Sequence, residues 1–486
     1  MTLLNRTLWL TLILGLLTWT GAAPSAAPDP APTLEAEIED ILRASRADPA
    51  FWGLYVQDLE SGRVLFDRNA DKSFLPASNQ KILTTATALD ALGSTYRYET
   101  TLAFDGSVQD SVMTGDLIIE GSGDPTFGSR EIRGEDPLEQ WATKLARMGV
   151  RRIEGRLIGD DDAFDEQAFS EGWDVDYLTR QAGRYIGTSA SGLSYHDNVV
   201  TLRIRANAPG LPPTVTTRPE NVVEIRNEAT TSSRRRGGGL AVRRSFRSNE
   251  IIVEGSASRY YNGSVVVPVN NPTLLTLEAF REALRDVGID TDLTIADIDD
   301  LETEPPGDAP PLFIALSPPL ADILSIINKD SNNFYAEQVF RTYGWAGSAR
   351  GGARRTKTFL ARAGIDTRSL LIRDGSGLSR KDLVTPKAMV ELLALMDRHS
   401  EREAFMASLP LGGESNTTLE YRLRNVPVRA KTGSLRFIRA LSGYATRPDG
   451  SRVAFAFFAN NYTGPSYRIT NLFDQIVTTI TSSPVS

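Results

Sequence analysis

Pro76-Ala77-Ser78-Asn79-Gln80-Lys81-Ile82-Leu83-Thr84-Thr85-Ala86 is the stretch on which the reading of the fold turns. A proline ahead of Ala and Leu residues at helical spacing marks a helix start near Ser78 and a helix from Lys81 to Leu92. Residues three apart share a helix face, so the Lys81 amine reaches the Ser78 hydroxyl. That pair suits a nucleophile and its base, because serine near neutral pH needs a group to take its proton, and a lysine of lowered pKa does this where histidine is absent. The helix N-terminus disfavours ammonium and offers N–H donors to a developing oxyanion.

Working outward, Trp52 to Leu59 and Arg63 to Phe66 read as a hairpin joined at Glu60-Ser61-Gly62, preceded by an amphipathic helix carrying Leu34, Ile38, Ile41 and Leu42. The far end mirrors this. Val428 to Ala430 runs as a strand into Lys431-Thr432-Gly433, Ala440 to Thr446 and Arg452 to Ala459 form a hairpin, and Leu472, Phe473, Ile476, Val477 and Ile480 make a closing helix. Together these predict an α+β fold, an antiparallel sheet with the terminal helices packed on one face. Between them, residues 97–307 are rich in short Val/Ile/Thr segments punctuated by Gly, Asn and Pro, and read as one or two inserted β-rich modules. The acidic, proline-paired stretch Asp297 to Pro311 marks the return, so residues 33–96 and 308–486 make one domain around the insertion at 97–307. Asp330 is read as a cap for the helix that follows it.

A chain of 486 residues exceeds what one core supports, and 41% hydrophobic with 23% charged residues is an ordinary globular balance. Cysteine is absent, which removes thiol nucleophiles, disulfides, iron–sulfur clusters and Cys/His zinc sites; no metal or cofactor is expected. The two histidines, His196 and His399, and the lack of any Gly-x-Ser-x-Gly leave little for a histidine triad. Of 53 basic residues only eight are lysines, and lysine, unlike arginine, can give up its proton. A net charge of -8 argues against a nucleic-acid partner. Arg6, the apolar run Leu8 to Trp19 and small residues from Gly21 to Ala27 read as a signal peptide over 1–27, too short to span a bilayer, which predicts export to the periplasm or beyond. The final 18 residues hold no Lys or Arg, so no basic amphipathic anchor is expected there. The run Arg234-Arg235-Arg236, continuing to Arg247, reads as a solvated loop tip.

Two further motifs join the first. Lys431-Thr432-Gly433-Ser434 sits on a strand whose glycine lets a ligand approach the backbone, while Lys and Thr hold a carboxylate by charge and hydroxyl. With so few lysines a Ser-x-x-Lys arises by chance about 0.6 times and a Lys-Thr-Gly about 0.04 times, so the second motif is the more specific. Ser331-Asn332-Asn333, a Ser-x-Asn, follows the helical segment Leu320 to Asn328. Each also has a structural explanation: an exposed helix start, a strand-end turn, a helix cap.

Ser-x-x-Lys, Ser-x-Asn and Lys-Thr-Gly in that order are the signature of penicillin-recognising serine enzymes. The chain resembles the D-alanyl-D-alanine carboxypeptidase/endopeptidase family of class C low-molecular-mass penicillin-binding proteins. The resemblance lies in Pro76 to Lys81, Gly121-Ser122-Gly123-Asp124-Pro125, Asn328 to Asn333, Asp374-Gly375-Ser376-Gly377-Leu378-Ser379-Arg380 and Arg429 to Leu435. It runs through nearly all of the chain after residue 27, the long insertion included.

The resemblance implies a penicillin-binding-protein/β-lactamase-like transpeptidase domain and an enzyme of peptidoglycan stem peptides, with β-lactams as covalent inhibitors. It implies that Ser78 attacks the penultimate D-alanine carbonyl, Lys81 takes its proton, Ser331 passes a proton to the leaving amine, and Asn333 holds Lys81 and the substrate amide. Lys431 and Thr432 would engage the terminal carboxylate beside Gly433 and Ser434, with the N–H groups of Ser78 and Ser434 as oxyanion hole. Asp160 and Phe164 look like the loop that helps bind the peptide side chain, and Arg380 like a residue that meets its carboxylate. A serine β-lactamase shares the motifs but not the large insertion; a catalytically silent wall-binding protein would not need Ser78, Lys81 and Lys431 together.

Overall fold

The computed structural model describes residues 33–44, 50–179, 189–235, 238–303 and 309–483; the leader over 1–27 and the middle of the arginine run lie outside them. Helix α1 (Leu34–Ala44) leads into strands β1 (Phe51–Asp58) and β2 (Val64–Arg68), and helix α2 (Gln80–Leu92) follows a single 3₁₀ turn at Ala77–Asn79. Strands β3 (Glu99–Gln109) and β4 (Val112–Glu120), helix α3 (Pro137–Arg147), strand β5 (Arg152–Asp160) and helix α4 (Val175–Thr179) come next. A run of short strands succeeds them: β6 (Val199–Arg205), β7 (Thr214–Arg218), β8 (Glu224–Asn227), β9 (Thr230–Thr231), β10 (Gly239–Arg244), β11 (Glu250–Ala257) and β12 (Asn262–Pro268). Helix α5 (Pro272–Asp286) and strands β13 (Asp290–Asp297) and β14 (Pro311–Leu316) precede five helices, α6 (Leu320–Lys329), α7 (Asn333–Thr342), α8 (Ala349–Arg362), α9 (Pro386–Met396) and α10 (Arg402–Ser408). The described chain closes with β15 (Val428–Leu435), β16 (Ile438–Thr446), β17 (Arg452–Asn460) and α11 (Ser466–Ser482).

The first sheet runs β15-β16-β17-β1-β2 and is antiparallel throughout. Its middle strand β17 is buried along nearly its whole length, which is why Val453 to Ala459 reads as an unbroken apolar run. Alternation still sorts its side chains: Phe455 and Phe457 join Ile38, Leu472, Phe473 and Ile476 under α1 and α11, while Ala454, Ala456 and Phe458 face Ile82, Tyr335, Val339 and Met389 on the other side. The terminal helices thus share one face, and α2, α6, α7 and α9 share the other.

The insertion is less purely β than its composition suggests. Its main sheet, β13-β5-β4-β3-β14, pairs β4 with β5 and β5 with β13 in parallel. Parallel neighbours need a crossover, and α3 and α5 supply helices there, burying Leu138, Trp141, Ala142, Leu145, Phe280 and Leu284 against the sheet. The smaller sheets β10-β11-β8, with β9 on β11, and β12-β6-β7 enclose a separate core around Val200, Leu202, Ile251 and Val253. One boundary moves. The chain does not leave the insertion at 308, because β14 pairs antiparallel with β3, Leu316 against Glu99, so the exit lies beyond Leu316. The acidic, proline-rich composition that marked the return ends at the start of β14 rather than after it.

Candidate active site

Ser78 sits in the 3₁₀ turn that opens α2. The turn is tight: Ala77 adopts φ 47°, a left-handed conformation that non-glycine residues avoid. Two glycines clasp it. A Cβ on Gly433 would lie 2.7 Å from the Pro76 carbonyl oxygen, and one on Gly377, itself at φ 81°, would overlap the Ala77 carbonyl. The middle residues of the motif hold the same neighbours. Asn79 Nδ2 donates to the Lys431 carbonyl at 2.8 Å, and Gln80 Nε2 to the Asp374 carbonyl at 3.3 Å. The helix start is therefore pinned to β15 on one side and to the 374–379 loop on the other.

Lys81 is fully buried, and its Nζ donates to Asn333 Oδ1 and to the Ser376 carbonyl, each at 2.6 Å, with Ser78 Oγ at 3.4 Å. A neutral amine has two N–H groups. With both committed to Asn333 and Ser376, the lone pair is left for the serine hydroxyl, the orientation a base requires; catalytic contacts often tighten only once substrate binds. Burial pulls the Lys81 pKa down to about 7, against the opposing pull of the nearby Asp374 and Glu337 carboxylates.

On the far side of the cleft Ser331 adopts φ 60°, Asn332 rather than Asp330 caps α7 by accepting the Tyr335 N–H at 3.1 Å, and Asn333 is the first helical residue. Asp330 instead terminates α6. The cap leaves the residues on either side free to point elsewhere, Asn333 to Lys81 and Ser331 to Lys431, whose Nζ donates to Ser331 Oγ at 3.0 Å. Lys431 is also fully buried; desolvation first, and the neighbouring Lys81 charge second, hold its pKa well below the ordinary value. Ser78, Ser331, Asn333, Thr432 and Ser434 line one cleft of about 440 Å³, and Gly433 lies in the strand between the last two.

Other expected residues lie elsewhere. Phe164 is buried against Gly123 and Gly347 and borders a different cavity with Asp161, Glu166 and Asp297. Asp160 ends β5 opposite Glu120 and accepts the Asp162 N–H at 3.1 Å; burial raises its pKa to about 6. Neither borders the cleft. Arg380 is exposed where the 374–379 loop meets the insertion, its N–H donating to the Gly172 carbonyl at 3.0 Å.

The cleft also takes residues the motifs do not contain. Tyr177 of α4 and Leu378 line it on the insertion side, and Thr418 and Arg422 on the other, Arg422 held by a two-point ion pair with Asp474 at 2.6 and 3.1 Å. Behind Lys81 stand the buried carboxylates Glu337 and Asp374. Asp374 and Ser376 belong to a stretch that carried the resemblance; Glu337, Tyr177, Thr418 and Arg422 fall in no motif, and only their place in space singles them out.

A half-buried serine on a helix start, paired with a fully buried lysine one turn on and faced by a second lysine on the adjoining strand, defines the serine enzymes of the penicillin-recognising class. The chain belongs to the D-Ala-D-Ala carboxypeptidase 3 (S13) family, whose sequence pattern matches residues 34–481. Among its relatives are a D-alanyl-D-alanine carboxypeptidase from Actinomadura sp. (strain R39), 31% identical over 93% of this chain and 86% of the relative, and the D-alanyl-D-alanine carboxypeptidase DacB of Haemophilus influenzae, 26% identical over 84% and 85%. In fold it is similar to the crystal structure of penicillin binding protein 4 from Haemophilus influenzae, with a TM-score of 0.78 at 23% identity, covering 92% of this chain and 99% of the other. A predatory peptidoglycan endopeptidase from Bdellovibrio bacteriovorus shares the fold more loosely, with a TM-score of 0.52 at 17% identity over 88% and 93%.

Proposed function

We propose that this serine peptidase hydrolyses the D-Ala-D-Ala bond of peptidoglycan stem peptides, or the D-alanyl bond of a cross-link, through an acyl group carried on Ser78. The observation that carries the reading is the Lys81 amine, held by Asn333 and Ser376 with its remaining valence toward Ser78. In the first step the Ser78 O–H bond breaks, the proton passes to Lys81, and Oγ bonds to the carbonyl carbon. The N–H groups of Ser78 and Ser434 take the oxyanion; the C–N bond then breaks as Ser331 passes the leaving amine a proton, replaced by the one Lys81 took up, and water adds to the acyl carbon and breaks its bond to Ser78 Oγ, which regains a proton. Lys431 and Thr432 take the substrate carboxylate, whose charge favours the ammonium of Lys431 against desolvation and the nearby Lys81 charge. The leader sequence supports action outside the cytoplasm, and among the described residues no helix is long and apolar enough to cross a membrane.

The test is a labelled penicillin. A stable adduct on the tryptic peptide containing Ser78 is expected; no adduct, or one on another residue, overturns the assignment, and rapid release of opened drug would identify a β-lactamase instead. Release of D-alanine from a pentapeptide, set against cutting of cross-linked muropeptides, separates the two hydrolytic activities.

Two further results are expected. Acylation requires Lys81 unprotonated, so the acylation rate should fall as pH drops through about 7, where burial has placed that group. A rate that stays flat down to pH 5 would remove Lys81 as the base. Lys431→Ala should lower acylation by about 10²-fold, the worth of a charge-assisted contact, with the unfolding midpoint little changed. Full acylation in that variant would end the carboxylate role.

A further inference from the structure

The insertion touches the catalytic machinery along one edge of the cleft, where Tyr177 and Leu378 line it, and behind the base. Residues 169–178, leading into and through α4, lie along the 374–381 loop. Ser379 Oγ donates to the Glu171 carbonyl at 2.7 Å, the Arg380 N–H donates to the Gly172 carbonyl at 3.0 Å, and Lys381 pairs with the Glu171 carboxylate. Gly172 has φ 87°, and a Cβ there would lie 2.6 Å from Ser379 Oγ, so the arm passes too close to the loop for any side chain at that position. Trp173 and Leu178 form one apolar cluster with Leu378, Leu435 and Ala77, the residue ahead of the nucleophile.

Two contacts from this arm reach the carboxylates behind Lys81. Trp173 Nε1 donates to Asp374 Oδ2 at 2.7 Å, and Ser170 Oγ donates to Glu337 Oε2 at 2.9 Å. Those carboxylates in turn build the loop that presents the Ser376 carbonyl to Lys81. Glu337 Oε1 accepts the N–H groups of Gly375 and Ser376 at 2.9 and 2.8 Å, and Asp374 accepts those of Gly377 and Ser379 and the Ser376 hydroxyl. The chain of contacts is continuous from arm to carboxylates, to Ser376, to the base.

We propose that the 169–178 arm is a positioning device for the general base: through Trp173 and Ser170 it fixes the charge and placement of the Asp374–Glu337 pair, which holds the Ser376 carbonyl on Lys81 and offsets the ammonium that forms during acylation. Trp173, Ser170, Glu337 and Asp374 are positioning residues and touch no substrate. This rests on the acyl-serine reading above, and adds that the insertion serves the chemical step for every substrate. Charged groups face this centre from each packed element: Lys81 on α2, Glu337 and Arg341 on α7, with Asp165 paired to Arg341, Asp374 and Asp382 on the loop, and Lys431 on β15 with Asp330 near it. Burial, and then Asp374, raise the Glu337 pKa to about 7, so its charge depends on the donors that hold it.

The experiment measures acylation by a labelled penicillin and D-alanine release from a pentapeptide, both against pH, together with the unfolding midpoint. Trp173→Phe keeps the ring and removes the donor. Both rates should fall by about tenfold, the worth of a hydrogen bond to a carboxylate, and by the same factor for drug and peptide. The acid limb should move to lower pH, since a pair held less closely behind Lys81 stabilises its ammonium less. Glu337→Gln should give a larger fall with the same direction of shift, and Glu337→Asp, which restores the charge, should return the limb. Slowing of the peptide alone would assign the arm to substrate binding, and slower acylation with an unmoved limb would make it structural; either overturns the proposal. Should Glu337→Gln fail to fold, Trp173→Phe and Ser170→Ala decide it. A wild-type chain that takes no penicillin on Ser78 would instead overturn the acyl-serine reading.

Discussion

Ser78→Ala should form no covalent adduct with a labelled penicillin, and its D-alanine release should fall by about 10⁴-fold or more, the scale seen when a nucleophile is removed and the binding groups stay. The size follows from the division of labour in the cleft. Lys81, Lys431 and Asn333 keep their places without Ser78, since their contacts at 2.6 to 3.0 Å run to Asn333, Ser376, Ser331 and Thr432. Only a 3.4 Å contact is lost, so the fold should be unaffected and the unfolding midpoint should match wild type. Non-covalent retention of the drug with no acylation is the expected pattern, seen as displacement by unlabelled penicillin. An adduct of undiminished yield would mean that another side chain is the nucleophile.

The second large effect is at Lys81. Lys81→Met has the reach of lysine and no amine; Lys81→Arg keeps a positive charge that cannot be given up at accessible pH. If the residue served only as a cation, the arginine variant would retain activity. As a base it should not, and both variants should lose acylation by about 10³-fold or more, the middle of the range for positioned proton transfer. The pH dependence separates the cases again: the fall through about pH 7 set by the buried amine should vanish in Lys81→Met. Residual acylation in that variant with the wild-type acid limb would assign the limb to another group.

Much of this site was legible in the sequence because its chemistry is local. Ser78 and Lys81 are neighbours on one helix turn, and Lys431-Thr432-Gly433 is one strand segment, so short motifs carry the spatial relation directly. The terminal hairpins were legible for a similar reason: Val453 to Ala459 and Trp52 to Val56 are apolar runs bounded by turns. What the sequence hid depends on long-range packing. Glu337 lies among buried apolar residues of α7, and nothing in its neighbours along the chain says that Gly375, Ser376 and Ser170 meet it in space. Tyr177 and Arg422 reach the cleft from segments without a pattern of their own. Asp160 and Phe164 show the opposite case. An acidic loop followed by an aromatic looks like a ligand contact in sequence, yet Phe164 fills the space above Gly123 and Asp160 closes a parallel strand. Helix α3 sits in a stretch whose composition is β-rich on both sides, although Leu138, Trp141, Ala142 and Leu145 have helical spacing.

The register of the first sheet has a consequence for timing. Strand β1, close to the start of the described chain, finds its partner in β17, with Phe51 opposite Asn460, so Ser78 waits on strands made several hundred residues later. Closing so long a loop adds little to the equilibrium cost, since each doubling is worth only about 0.6 kcal/mol, but non-local pairing of this kind slows folding. The hairpins inside the insertion, β3 with β4 and β10 with β11, can close as soon as they exist. A chain that emerges N-terminus first therefore carries its nucleophile in unfinished form, next to an insertion already assembled. It becomes a hydrolase only when β15 brings Lys431 to Ser331 and β17 seals the sheet.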